Sequence, residues 1–250
     1  MNNDSQLDLS KHRMDFEEFR KMASNNQLSI YEKIGFPDDY RKDYESQIFD
    51  DICQKLNLHR QKLNVLDIGC GCSQLPNLII NLSINNGHNL LMMDSKEMLD
   101  LLPKKGFERI EGRFPNDWDK SKVTYQFDCI ILYSVMQHII LGSNPFTFLD
   151  NAVQLLESGG RLLIGDLPNI SKRNRFFASD RGKVFHQEFM KDGSNPSTSF
   201  NQLVPEKIDD SLIFAILSRY RNSGYEAYVL NQPDYLPMAN RREDILIMRN

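Results

Sequence analysis

The residues best placed for chemistry follow a short apolar run in the first half of the chain. Val65–Leu75 reads VLDIGCGCSQL, so the apolar run leads into two glycines separated by one residue. Because glycine has no Cβ, such a loop lets backbone N–H groups and a helix N-terminus approach a ligand closely. Asp67 stands two residues before the first glycine, where its carboxylate would repel a pyrophosphate and attract an ammonium or sulfonium group. The stretch therefore predicts a site for a ligand that carries positive charge.

Two further positions distinguish this loop from a dinucleotide-binding fingerprint. The third glycine of G-x-G-x-x-G is replaced by Gln74. Asp94 ends the next apolar run, where a carboxylate can accept hydrogen bonds from both hydroxyls of a ribose. An NAD-dependent oxidoreductase is therefore disfavoured, although it stays the alternative from another enzyme class. A catalytically inactive cofactor-binding partner subunit is the non-enzymatic alternative.

Together these residues resemble the class I S-adenosylmethionine-dependent methyltransferases, whose first motif is a hydrophobic strand followed by D-x-G-x-G. The resemblance covers the chain from Asn64 to Asp166 and the C-terminal strand pair, and it implies S-adenosyl-L-methionine as the cofactor. It assigns cofactor contacts to the glycine loop, to the end of the second strand, to the segment after the third strand and to the end of the fourth. By position these are Asp67, Gly69, Cys70, Gly71, Asp94, Ser95, Arg113, Phe114, Tyr133 and Ser134.

Methyl transfer from a sulfonium asks the protein mainly to align the acceptor and exclude water. An acceptor that is protonated at neutral pH also gains from a general base. The candidate bases are His138, just after the fourth strand, and His186 and Glu188, in the segment where this family usually builds its acceptor site. Tyr133 and Asp166, at the ends of the fourth and fifth strands, are further candidates. A packed or helix-capping role is the competing interpretation of His138, and an ordinary surface position is that of His186 and Glu188.

A basic run follows the fifth strand. Ser171–Lys183, SKRNRFFASDRGK, holds five basic residues and one acidic residue in a chain whose net charge is −4. Arginine suits phosphate and carboxylate groups, although charge runs are more often solvated surface. We therefore expect an anionic acceptor to meet one or more of three arginines, and Asp166, at the end of that strand, is a separate candidate for contact with the substrate. The three arginines are Arg173, Arg175 and Arg181.

Two features narrow the acceptor further. Ser29–Arg41, SIYEKIGFPDDYR, together with GDLPN and the basic run, is loosely similar to methyltransferases of bacterial capsule and surface-polysaccharide gene clusters, which implies a sugar-linked or phosphorylated acceptor. No Asn/Asp-Pro-Pro-Tyr motif and no cysteine nucleophile beside a proline follows the fourth strand, and the pI is about 5.8. Both observations argue against a nucleic acid partner.

The sequence pattern of the elements that must position these residues predicts an α/β fold. Five short apolar runs lack period-two alternation, as buried parallel strands do, and helical stretches separate them. We expect a Rossmann-like seven-stranded, mostly parallel sheet with an antiparallel C-terminal strand and helices on both faces. The predicted strands are Asn64–Ile68, Asn89–Asp94, Phe107–Gly112, Phe127–Ser134, Arg161–Asp166, Tyr225–Asn231 and Asp244–Arg249. The predicted helices are Asp15–Ala23, Tyr40–Leu56, Gln74–Leu82, Lys96–Leu101, Pro145–Leu156, which Gly159-Gly160 would cap, and Glu206–Asn222.

The chain is expected to form a single domain with four parts. Residues 1–60 form an N-terminal helical cap and first helix, 61–166 the cofactor-binding core, 167–205 an irregular, mobile lid over the acceptor, and 206–250 a C-terminal helix and strand pair. Four cysteines in 250 residues make no disulfide framework, and no ligand pair accompanies Cys70 and Cys72, so no metal is expected. No apolar run reaches the ~18 residues of a membrane helix. These features predict a cytoplasmic enzyme with a small-molecule acceptor and leave its oligomeric state open.

Overall fold

One mixed sheet of seven strands lies at the centre of the part of the chain that the structure, a computed structural model, describes: residues 14–250. The strands are β1 (Asn64–Ile68), β2 (Asn89–Asp94), β3 (Glu108–Glu111), β4 (Phe127–Tyr133), β5 (Leu156–Pro168), β6 (Tyr225–Asn231) and β7 (Arg242–Arg249). Their order is β3-β2-β1-β4-β5-β7-β6. β7 is antiparallel to both of its neighbours, and the other six strands run in one direction. The predicted Rossmann-like sheet is confirmed.

The central strands are apolar on both faces because both faces are covered. Successive side chains of a strand point to opposite sides, and in β4 Ile130 packs into the core on one face while Cys129 and Ile131 pack into the core on the other. All three are almost completely buried. This is why the sequence shows continuous apolar runs here and no alternation.

Helices cover the two faces of the sheet and its carboxyl edge. They are α1 (Phe16–Ser24), α2 (Asp38–Arg41), α3 (Glu45–Leu56), α4 (Gln74–Asn86), α5 (Lys96–Leu99), α6 (Met136–Gly142), α7 (Pro145–Val153), α8 (Ile170–Ala178), α9 (Asp180–Met190) and α10 (Asp210–Asn222). Leu149 of α7 and Ile216 of α10 belong to the core on one face, and Ile52 of α3 and Ile79 of α4 belong to the core on the other.

Two predicted features are wrong. The segment Pro168–Pro205 is not irregular throughout, because Asn169 and Ser179 cap two consecutive helices, α8 and α9, with their side-chain oxygens. Gly159-Gly160 does not end a helix: α7 ends at Val153, and the two glycines lie within β5, where its register with β4 shifts. A Cβ on Gly160 would stand 2.8 Å from two backbone carbonyl oxygens, so glycine is required there by close backbone approach.

The N-terminal segment, residues 14–44, folds over the loop that follows β1. Arg20 of α1 pairs with Glu97 of α5 at 2.9 Å, which ties α1 to the element after β2. Lys33, in a short 3₁₀ helix, is buried and donates to the Ala23 carbonyl at 2.7 Å. Ala23 also packs with Cys72 of the glycine loop. This segment therefore adds a wall above the carboxyl edge of the sheet.

A buried ion cluster joins α3 to the edge of the sheet. The ammonium group of Lys55 lies 2.5 Å from a carboxylate oxygen of Asp51 and 2.6 Å from one of Asp244, which is fully buried. Asp244 also accepts hydrogen bonds from the Asp166 N–H at 2.8 Å and from Gln232 at 3.0 Å. One cation thus neutralises two carboxylates that the fold has taken out of water.

We expect Lys55→Met to lower the free energy of unfolding by about 3–5 kcal/mol, because it leaves the Asp244 carboxylate buried without a cation. The measurement is urea denaturation at neutral pH, followed by circular dichroism. Lys96→Met is the matched control, since Lys96 pairs with Asp100 at 2.6 Å on an exposed surface and should lose less than about 1 kcal/mol. Equal losses in the two variants would contradict the prediction.

Candidate functional site

A cavity opens at the edge of the sheet where β1, β2 and β4 end, the edge at which doubly wound sheets bind ligands. Its walls are the loop after β1, the ends of β2 and β4, the segment after β3, the start of α6 and the N-terminal segment. Every predicted cofactor contact except Ser95 lines it, and so does His138. The predicted residues brought together are Asp67, Gly69, Cys70, Gly71, Asp94, Arg113, Phe114, Tyr133, Ser134 and His138.

The glycine loop is held in a conformation that brings its backbone to the cavity. Gly69 and Gly71 have φ angles of +74° and +66°. A Cβ on Gly71 would stand 2.8 Å from Cγ2 of Ile34, and one on Gly69 would stand 2.8 Å from Cγ2 of Val135. The loop is therefore packed from both sides, and a side chain at either glycine would displace a cavity wall.

The helix that follows this loop begins without a cap of its own. The side chain of Ser73, at the cap position of α4, makes no capping hydrogen bond. The Leu75 N–H instead donates to a carboxylate oxygen of Glu45, 2.7 Å away in α3, and Glu45 is fully buried. A remote acid thus satisfies one of the first N–H groups of the helix.

Two carboxylates at the ends of the strands, Asp67 and Asp94, face the cavity without a cationic partner among residues 14–250. Asp94 accepts hydrogen bonds from the Gly71 N–H at 2.9 Å and the Ser95 N–H at 2.6 Å. Burial raises the pKa of Asp94 to about 6, against the opposing effect of these two bonds. Burial, followed by the nearby charge of Asp94, raises the pKa of Asp67 to about 8. The site is therefore short of positive charge.

Ser95 supports the site from behind. Its side chain is buried and accepts a hydrogen bond from the Met98 N–H at 3.2 Å, which caps α5. Ser95 does not line the cavity, where the sequence predicted a cofactor contact. Its backbone N–H instead donates to the Asp94 carboxylate and holds it in place.

A polar cluster closes the end of the cavity beside β4 and β5. Asp166 is buried and pairs with Arg242 at 2.5 Å and with Arg41 at 3.6 Å, and it accepts a hydrogen bond from the Ser134 hydroxyl at 2.5 Å. Ser134 and Asp166 both have φ near +60°, a strained conformation for non-glycine residues. The guanidinium of Arg41 lies 5.3 Å from the centre of the Tyr133 ring. Asp166 thus contacts the cavity only through Ser134 and Arg41.

His138 stands in the wall formed by α6. Its Nδ1 lies 3.1 Å from the Met14 carbonyl, and its ring meets the Phe19 ring edge-on at 4.7 Å. A carbonyl oxygen only accepts, so Nδ1 carries the proton and Nε2 keeps a free lone pair. Burial lowers the pKa of His138 to about 4. At neutral pH this side chain is therefore uncharged, and its Nε2 can accept a hydrogen bond.

The remaining predicted residues do not line this cavity. His186 lies 3.1 Å from the Ser194 hydroxyl, and Glu188 is exposed. Arg175 pairs with Asp210, and the largely exposed Arg181 lies 4.0 Å from Asp234. Helices α8 and α9 hold these four side chains away from the ends of β1 and β2. Arg173, the third predicted arginine, lines a groove that shares His138 with the cavity.

Six of the cavity residues that sequence reasoning missed come from the N-terminal segment. They are Asp15, Phe16, Phe19, Ile34, Phe36 and Arg41. Phe16 and Phe19 stand three positions apart and so share a face of α1, which is a signal that the sequence contained. Arg41 gave no such signal, because only the folded chain brings it to β4.

The residues that the structure describes contain no candidate metal site and no candidate membrane-spanning helix. No group of three or more His, Cys, Asp or Glu side chains is arranged to hold a metal ion, and Cys53, Cys70, Cys72 and Cys129 are free. No helix in residues 14–250 combines the length and the apolar character needed to cross a bilayer.

Comparison with known proteins identifies the fold. No protein-family model and no curated protein matches the chain. The plantazolicin methyltransferase BpumL, crystallised with a monoazolic desmethylPZN analog and SAH, has a TM-score of 0.59 and 13% identity over 94% of this chain and 97% of its own. BamL, with a triazolic analog and SAH, has a TM-score of 0.53 and 15% identity over 94% and 100%. An O-methyltransferase family protein from Burkholderia thailandensis has a TM-score of 0.53 and 11% identity over 97% and 66%. The chain thus shares the fold of these methyltransferases.

We expect a titration of His138 by NMR to show a neutral ring, protonated at Nδ1, at every pH above about 5. Burial disfavours the charged form, so the ring should gain its second proton only near pH 4. The His138→Asn variant assigns the signal. A midpoint above pH 6, or a proton on Nε2 at neutral pH, would contradict this description of the site.

Proposed function

We propose that the protein is an S-adenosylmethionine-dependent methyltransferase acting on a small acceptor. The observation that carries the proposal is the pair of carboxylates, the buried Asp67 and the half-buried Asp94, that face one cavity beside a glycine loop and have no cationic partner among residues 14–250. The cofactor brings the sulfonium and ammonium charges that such a pair lacks. The shared fold supports the same proposal.

The residues around the cavity fit each part of this cofactor. Asp67 faces the region of positive charge, and the two lone-pair-bearing oxygens of Asp94 suit ribose hydroxyls. Arg41 also lines the cavity, and its guanidinium is already paired within the protein, with Glu45 at 3.5 Å and Asp166 at 3.6 Å. Phe114 and Phe148, whose rings meet edge-on at 5.2 Å, supply an apolar wall for adenine.

The protein's share of the reaction is positioning and proton transfer. When bound, the cofactor supplies an activated methyl group. The apolar side chains of the N-terminal segment, Phe16, Phe19 and Phe36, exclude water from the cavity. His138 accepts the acceptor's proton at Nε2, since Nδ1 is held by the Met14 carbonyl. Because burial lowers the pKa of His138, this transfer accompanies methylation, which makes the acceptor's proton more acidic.

The alternatives are weaker on the same observations. A nicotinamide dinucleotide would place its pyrophosphate beside Asp67 and next to Gln74, where the fingerprint requires glycine. A catalytically inactive subunit would bind the cofactor equally well, and it is distinguished by methyl transfer to an acceptor.

The chemical class of the acceptor and the cellular compartment are part of the proposal as well. We infer a small anionic acceptor, phosphorylated or sugar-linked, from the basic run and from the loose resemblance to enzymes of surface-polysaccharide clusters. BpumL and BamL, which share this fold, were each crystallised with a desmethylPZN analog together with SAH. Four free cysteines fit a reducing compartment such as the cytoplasm.

We expect Asp94→Ala to weaken binding of S-adenosylmethionine about 10- to 100-fold, because hydrogen bonds to a charged group contribute about 1.5–3 kcal/mol. Isothermal titration calorimetry measures the affinity. Glu111→Gln is the matched control, since Glu111 ends the neighbouring strand beside Asp94 but is exposed and does not line the cavity. Unchanged affinity in a folded Asp94→Ala protein would remove the ribose assignment.

We expect binding of S-adenosylhomocysteine, which keeps the ammonium group, to release a proton from Asp67 at pH 7. The free protein carries this carboxyl protonated below about pH 8, and the cationic ligand favours its ionised form, so affinity should rise with pH up to about 8. Calorimetry in buffers of different ionisation enthalpy counts the protons. The ligand's own titration is common to wild type and Asp67→Asn, so equal proton release in the two proteins would contradict the prediction.

A further inference from the structure

A second depression borders the cavity on the far side of His138. It runs between α6, the start of α8, the loop before α10 and the residues that lead into β7. His138 lines both spaces, and Met14, whose carbonyl meets the His138 ring, lines the groove. A molecule in this groove therefore has one end at the proposed proton acceptor.

The groove carries an excess of positive charge. Arg173, Lys207, Arg241 and Arg242 line it, against the single acid Glu206 among the residues that the structure describes. Arg242 is already paired, at 2.5 Å, with Asp166. The other three cations form no ion pair within residues 14–250, so the groove is not neutralised from inside the protein.

Two of these cations are held together on one aromatic ring. The guanidinium of Arg173 lies 5.0 Å from the centre of the Phe177 ring, and that of Arg241 lies 5.6 Å from the same centre. Phe177 is buried, and the Nε of Arg241 is buried without a hydrogen-bond partner. Burial lowers the pKa of Arg241, and the charges of Arg242 and Arg173 act in the same direction. Like charges fixed in this way are unfavourable until an anion joins them.

We propose that Arg241 and Arg173 bind the anionic end, a carboxylate or a phosphate, of the methyl acceptor, which then extends along the groove to His138. This inference rests on the proposed function and adds the chemical class of the acceptor and the residues that recognise it. Planar guanidinium groups that present several N–H donors suit the oxygens of either anion. Arg241 lay outside the basic run and was not predicted from sequence.

The other two predicted arginines differ from this pair because each has a carboxylate partner. Arg175 and Arg181 line a second groove, beside the loop that joins β6 to β7 and bordered by Arg241 as well, and they pair with Asp210 and Asp234. His138 does not line that groove. Arg175 therefore provides a control of the same residue type on the same helix as Arg173.

The test is a titration of the full-length protein with inorganic phosphate and, separately, with acetate, at constant ionic strength and in the presence and absence of S-adenosylhomocysteine. NMR of the arginine Nε–H groups reports the site. We expect the signals of Arg241 and Arg173 to shift on binding. Arg241→Gln should weaken phosphate binding at least about tenfold, while Arg175→Gln should leave it unchanged. Preference for phosphate assigns phosphorylated acceptors, and preference for acetate assigns carboxylates.

Two results overturn the inference: neither anion shifts the Arg241 signal in the wild-type protein, or Arg241→Gln binds both anions as tightly as the wild type. If Arg241→Gln fails to fold, the wild-type spectra and Arg241→Lys, which keeps the charge but loses the planar fork, decide the question. Affinity for S-adenosylhomocysteine is measured in the same samples. A wild-type protein that binds the anion but not S-adenosylhomocysteine would reject the methyltransferase proposal. One that binds S-adenosylhomocysteine but neither anion would reject only the anion site.

Discussion

The convergence of carboxylates at one edge of a parallel sheet is the constraint on which the rest of the structure depends. Parallel strands end at the same edge, so Asp67, Asp94 and Asp166 are brought together there. Each is compensated differently. Two arginines neutralise Asp166, backbone N–H groups solvate Asp94, and no donor within residues 14–250 reaches Asp67. A positive charge beside Asp94 and Asp67 must come from a ligand. The empty site is therefore unfavourable, and it selects ligands that carry positive charge.

The N-terminal segment strengthens the effect of the missing positive charge beside Asp67 and Asp94. Burial is the largest cause of the raised pKa values of Asp67 and Asp94, and α1 with the residues up to Arg41 forms one wall of the cavity that both carboxyl groups line. The ion pair between Arg20 and Glu97 ties this wall to the element directly after β2. A low-dielectric cavity strengthens attraction for a cation as much as it penalises an unpaired carboxylate, so one wall both destabilises the empty site and favours the filled one.

Sequence reasoning succeeded where structure is local and failed where distant segments meet. The bounds of β1, β2 and β6 agree with the expected ones because continuous apolar runs between polar turns leave little choice. The glycine loop and Asp94 were identifiable because they lie within one strand-loop-helix unit. Gly160 was misread, since it admits the carbonyl oxygen of Phe127 from the neighbouring strand as well as that of Glu157. Arg41 and Arg241 were missed because each reaches its groove or cavity only through tertiary packing.

Because β7 runs opposite to the other strands, the loop that lines the groove can change in sequence independently of the strands that line the cavity. Because β7 starts at the carboxyl edge of the other strands, the loop 232–241 that precedes it also lies at this edge, with Leu236 and Ala239 anchored in the core. It contributes Met238 and Arg241 to the groove and no residue to the cavity. Substitutions at those two positions can diversify the molecules admitted while the strands that carry Asp67 and Asp94 stay unaltered. The loop is thus the natural segment to randomise in a library for altered selectivity.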